Sequence, residues 1–165
     1  MDLGRLNNGE RVAAVSAILL YVLMGFSWYG IESTNENSGG GLLNLFGGSE
    51  PGRNAWEALD LISIVLLIAV LAAVAVAVLR LMDAIHDPPV PVNAVVAALG
   101  ALSAFLILFR IVVLPDFGTE NLGPYGELTF NATVESSMYL ALVVAAGIAI
   151  GGLLALREEG TYPWA

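Results

Sequence analysis

The sequence predicts an all-α fold, a bundle of four transmembrane helices with both termini cytoplasmic and two longer outer loops. The first reason is composition: the 165-residue chain is 58% hydrophobic, with a mean hydropathy of +0.80, well above the apolar share of a soluble domain. The second is distribution. Apolar residues gather into four blocks, roughly Val12–Tyr29, Leu61–Met82, Val92–Leu114 and Val134–Leu156, each near the ~20 residues a helix needs to span hydrocarbon. The third is pattern: the blocks lack the alternation of a barrel strand, and only a helix then satisfies its own backbone groups inside lipid. The expected organisation is a single membrane domain, 1–165, with helices at roughly 12–31, 54–83, 92–114 and 134–157 and outer loops at roughly 32–53 and 115–133.

The first block follows Arg5 and Arg11, as a signal peptide would, but Phe26-Ser27-Trp28-Tyr29 lacks a small-residue cleavage pattern. It reads as a retained helix. The second helix starts ahead of its apolar block, because Asn54-Ala-Trp-Glu57 has the spacing of a capping box. Pro88, Pro89 and Pro91 end that helix and turn the chain into the third, which Pro115 closes. Arg5, Arg11, Arg80 and Arg157 fall on one side of this arrangement, and Arg53 and the membrane-level Arg110 on the other. Basic residues are retained on the cytoplasmic side, which gives the orientation. Trp28, Tyr29 and Trp56 are expected to form an outer aromatic belt, with Tyr162 and Trp164 as an inner one. The glycine-rich stretch Ser38–Gly52 reads either as a flexible connector or, through Leu42, Leu43, Leu45 and Phe46, as a partner or lipid contact.

Helices have no hydrophobic reason to associate in lipid, so small residues that let backbones approach mark their contacts. Ala69, Ala73 and Ala77 in the second helix, and Gly147 and Gly151 in the fourth, have that spacing. They serve either the bundle itself or another subunit.

Among polar residues, Arg110 is the most informative. It shares a helical stripe with Val96, Gly100, Ser103 and Ile107, so it should face other helices. A guanidinium at that depth must pair or snorkel. Asp60 is the preferred partner, with Glu57 or Glu135 as a second acid. Such an intramembrane ion pair would fix helix register, or line an anion, proton or substrate path. Asp83, His86 and Asp87 stand at i, i+3 and i+4, a weak candidate for metal binding that a polar helix end explains equally well.

Other chemistry is excluded by inventory. There are no Cys, so thiolate sites and Cys nucleophiles are ruled out. The basic residues are six Arg and no Lys in a chain of net charge −9, which argues against nucleic acid as a partner. No phosphate-binding loop, dinucleotide fingerprint or metalloprotease helix occurs. The one His has no Ser beside it in the inner turn for a triad. Neither a catalytic residue nor a cofactor is expected.

Gly9-Glu-Arg-Val12, Phe26-Ser-Trp-Tyr29, Asn54-Ala-Trp-Glu-Ala58, Phe109-Arg110 with Pro115 soon after, and Arg157-Glu-Glu-Gly160 together resemble uncharacterised four-helix membrane proteins of actinobacteria. The resemblance implies a prokaryotic plasma membrane and brings no activity. The expected role is non-enzymatic: an accessory or scaffolding subunit of a membrane assembly, in contact with lipid and with a protein partner or further copies of itself. The alternative is a small transporter or channel using Arg110 and Asp60.

Overall fold

A computed structural model of the chain describes residues 6–32, 53–82, 91–114, 119–121, 127–129, 131–158 and 160. Helix α1 (Asn8–Leu23) leads into strand β1 (Ser27–Glu32). Strand β2 (Arg53–Asn54) runs straight into the one-turn helix α2 (Ala55–Ala58) and the long helix α3 (Asp60–Leu81). Then come α4 (Val92–Val112), the strands β3 (Thr119–Asn121), β4 (Glu127–Thr129) and β5 (Asn131–Val134), and α5 (Ser136–Glu158).

Among the described residues, three helices, α3, α4 and α5, are long and apolar enough to cross a membrane, with 22, 21 and 23 residues. At ~1.5 Å per residue they reach about 31–35 Å, against a hydrocarbon core of about 30 Å. Helix α1 has 16 residues, about 24 Å by the same rise. It packs against α3 and α5, while α4 packs against the same two from the other side. Successive helices run antiparallel, so the start of α1 and the end of α5 lie at one end, where the Gly9 amide donates to Glu158 Oε2 at 3.4 Å. The opposite end carries a small antiparallel sheet in the order β2-β1-β5, and β3 pairs with β4 separately.

The helix expected over 12–31 therefore starts earlier and stops at Leu23. The turn is local: the Gly25 amide donates to Val22 O and that of Phe26 to Leu23 O, both at 3.1 Å. The Trp28 indole then donates to the same Leu23 carbonyl at 2.7 Å, satisfying one of the acceptors every helix end leaves over. Beyond it, Ser-Trp-Tyr-Gly-Ile-Glu is extended and pairs with β5, Tyr29 facing Val134 and Glu32 facing Asn131. Trp28 and Tyr29 are fully buried, so they are core residues rather than an interfacial belt; Trp56 is exposed.

The helix expected over 54–83 is broken near its start. The capping box is present, with Glu57 N donating to Asn54 Oδ1 at 3.1 Å and Asn54 N to Glu57 Oε2 at 3.4 Å. It caps only α2, however. Leu59 leaves helical geometry, and Asp60 has φ of +23°, in the region that favours glycine. Ser63 Oγ donates back to Ala55 O across the break. The third and fourth expected helices, at 92–114 and 134–157, are observed as Val92–Val112 and Ser136–Glu158. The Pro88/Pro89 turn, Pro115, the Ser38–Gly52 stretch, Tyr162 and Trp164 lie outside the described residues.

Helix α5 is the central packing element, and glycine makes its approach to α1 and α4 possible. A Cβ on Gly151 would stand 2.5 Å from Ala13 N, one on Gly9 2.2 Å from Ala155 N, and one on Gly147 2.6 Å from Ser16 Oγ. On the other side, Gly152 lies over Ala97, and Gly100 of α4 over Ala149. Ala69, Ala73 and Ala77 are buried along α3. The outward faces are apolar, for example Leu61, Ile64, Ile68 and Leu71 on α3.

Candidate functional site

Polar side chains concentrate at the two ends. At the end holding the start of α1, Asn7 and Glu10 form a second capping box, Glu10 N donating to Asn7 Oδ1 at 2.8 Å and Asn7 N to Glu10 Oε2 at 3.2 Å. The Glu10 carboxylate is buried, its side chain only 3% exposed. Its Oε1 lies 3.1 Å from Arg80 Nε in the last turn of α3 and accepts from Asn93 Nδ2, in the first turn of α4, at 3.4 Å. Burying a carboxylate is costly unless it is paired and hydrogen-bonded, and here one carboxylate joins α1, α3 and α4. Glu158 of α5 reaches the backbone of the same turn through Gly9.

At the sheet end, the Tyr29 hydroxyl donates to the Arg110 carbonyl at 3.3 Å, tying β1 to the last turn of α4. Burial pushes the Tyr29 phenol up from its ordinary value, and the nearby Arg110 guanidinium opposes that shift without cancelling it. Ser137 Oγ donates to Ser27 O, and Glu135 N to Trp28 O at 2.9 Å, fastening the start of α5 to β1. Gly30 is required there. A Cβ on it would stand 2.7 Å from Glu135 Oε1 and 2.9 Å from Thr133 Oγ1.

The structure brings Arg110 next to Tyr29. Among the described residues, no ion pair joins it to Asp60, Glu57 or Glu135, and its Nε is buried without a hydrogen-bond acceptor. Asp60 is exposed at the first residue of α3 because the helix break moves it to the surface. Glu57 is exposed and engaged in the cap, and Glu135 lies over Gly30. Asp83, His86 and Asp87 lie outside the described residues, and among the described residues no group of three His or acidic side chains could hold a metal. Sequence reasoning missed Glu10, although Asn7-Asn-Gly-Glu10 has the same capping spacing as Asn54-Ala-Trp-Glu57. Arg80 and Asn93, polar residues at the facing ends of two apolar blocks, were the other signal.

The class these features define is an α-helical membrane protein. No protein-family model matches the chain, and no solved structure does. Over 76 residues, 46% of its length, the chain is 30% identical to NADH-quinone oxidoreductase subunit N of Brevibacillus brevis. The matched part spans 14% of that protein, so the likeness concerns a fragment of it.

Proposed function

We propose that the chain is a non-catalytic, multi-pass protein of a prokaryotic plasma membrane that serves as an accessory or scaffolding subunit of a larger membrane assembly. In this reading α1 is a fourth crossing, both ends of the helical part are cytoplasmic, and partner subunits or further copies of the chain cover part of the perimeter. One observation carries it: buried polar side chains at the two ends of the helices tie one element to another. Glu10 joins α1 to α3 and α4, Ser63 ties α3 to the carbonyl of Ala55 in α2, and Ser137 ties α5 to the carbonyl of Ser27 in β1. The perimeter left over is apolar along α3, α4 and α5, a surface suited to lipid or to neighbouring helices. The partial likeness to a subunit of a multi-subunit complex is consistent with such a role. Transport through Arg110 and Asp60 is less well supported, since Asp60 is at the surface and does not pair with Arg110.

Purification from native membrane in a mild detergent, followed by identification of the companions, tests this. Membrane partners recovered in fixed ratio, or a defined homo-oligomer, are expected. A lone monomer that conducts ions or solutes in reconstituted vesicles would contradict it.

A further inference from the structure

Arg110 is a cation at the end of a membrane helix, and among the described residues no acid forms an ion pair with it. It stands in the last turn of α4, and of its side-chain nitrogens Nε is buried and has no acceptor among the described residues. The residue as a whole is half-buried, and Nε alone of its side-chain nitrogens is both buried and unpartnered among the described residues. Around it, Phe109, Val112, Val113 and Leu114 are exposed. A guanidinium framed by exposed apolar side chains at a helix end sits where acyl chains give way to headgroups.

We propose that Arg110 binds the phosphate of an anionic phospholipid whose acyl chains lie along the last turn of α4. The planar guanidinium matches a phosphate through paired hydrogen bonds, which an ammonium cannot do. A free anion is disfavoured by the net charge of −9, whereas a lipid phosphate is retained by the contact its chains make with Phe109 and Val112. Tyr29 holds the Arg110 backbone from the inner side, so the guanidinium is presented on a fixed helix end. The inference rests on the membrane setting and is independent of whether the chain is a scaffold.

The test uses the full chain, delipidated in neutral detergent. Its melting temperature is followed as short-chain phosphatidylglycerol, short-chain phosphatidylcholine or inorganic phosphate is added. Phosphatidylglycerol should raise the wild-type midpoint by about 3 °C, the shift that ~1 kcal/mol of binding gives a chain of this size. Phosphatidylcholine should raise it by less, and inorganic phosphate should leave it unchanged. Arg110→Gln should lose most of the phosphatidylglycerol shift, Arg110→Lys should keep part of it, and Arg53→Gln, a basic site at the same end, should keep all of it. Equal shifts from phosphatidylglycerol and phosphatidylcholine in the wild type would overturn the proposal even if Arg110→Gln does not fold. So would an equal shift from inorganic phosphate, which would make the site one for free anions. A full phosphatidylglycerol shift in folded Arg110→Gln would also overturn it.

Discussion

Glu10 gives up almost all of its contact with solvent and meets Arg80, Asn93 and the Asn7 amide instead. Arg80→Ala should cost about 3 kcal/mol, because it strands a buried carboxylate without its cation. Adding Glu10→Gln to that variant should return part of the loss, and a double-mutant cycle read by unfolding in detergent measures the coupling. Coupling below about 0.5 kcal/mol would mean the pair is incidental. Tyr29 gives a second residue-level prediction. Its folded value is raised above 10.0 by burial, so the folded state holds the phenolic proton more tightly than the unfolded chain does. The stability linked to that proton is complete below pH 10 and is lost as pH rises through the folded value. Tyr29→Phe should flatten this alkaline loss in a pH series of melting curves, and an unchanged slope would contradict the assignment. The capping spacing of Glu10 was legible in the sequence, but neither its partners nor the burial of Tyr29 was. Trp28 and Tyr29 suit an aromatic belt by position, and only their burial in the core removes them from it.

Helix α5 brings its glycines against backbone of both α1 and α4, so its contacts leave no space for a side chain at Gly151. Gly151→Leu should destabilise the fold by at least the ~1–3 kcal/mol typical of overpacking. Gly25→Ala is the control: its Cβ would find its nearest neighbour at an ordinary 3.4 Å from Val22 O, and it should stay within about 0.5 kcal/mol of the parent. Melting of the two variants in the same detergent distinguishes close packing from a general intolerance of substitution. If Gly151→Leu melts with the parent, α5 does not depend on that contact. The Gly147-x-x-x-Gly151 spacing was legible because small residues every four positions share one helix face. The end of α1 and the break before α3 were less so. Hydropathy runs on through Gly25, and the capping box at Asn54–Glu57 reads as the start of one continuous helix, while the chain turns at both for local reasons: captured carbonyls at the first, and Ser63 reaching back to Ala55 at the second.

For the molecule as a whole, long apolar runs fix how much helix there is, and antiparallel packing brings the start of α1 beside the end of α5. What hydropathy could not supply is the pairing of residues far apart in sequence. Glu10 stands just ahead of the first apolar block and Arg80 near the end of the second, and they become partners only when α1 packs on α3. With 16 residues, α1 is the shortest of the proposed crossings. The chain has no Cys, so single cysteines report on sidedness cleanly. Asn8, Met82 and Arg157 mark one end, Arg53 the other, and all four are exposed in the described structure. Each is replaced by Cys in turn, and intact cells are treated with a membrane-impermeant thiol reagent. Four crossings with the Glu10 end cytoplasmic predict that only Arg53→Cys reacts before permeabilisation and that the other three react after it. Labelling of Asn8→Cys from outside intact cells, with Arg157→Cys still protected, would show that α1 does not cross, and labelling of both would reverse the orientation.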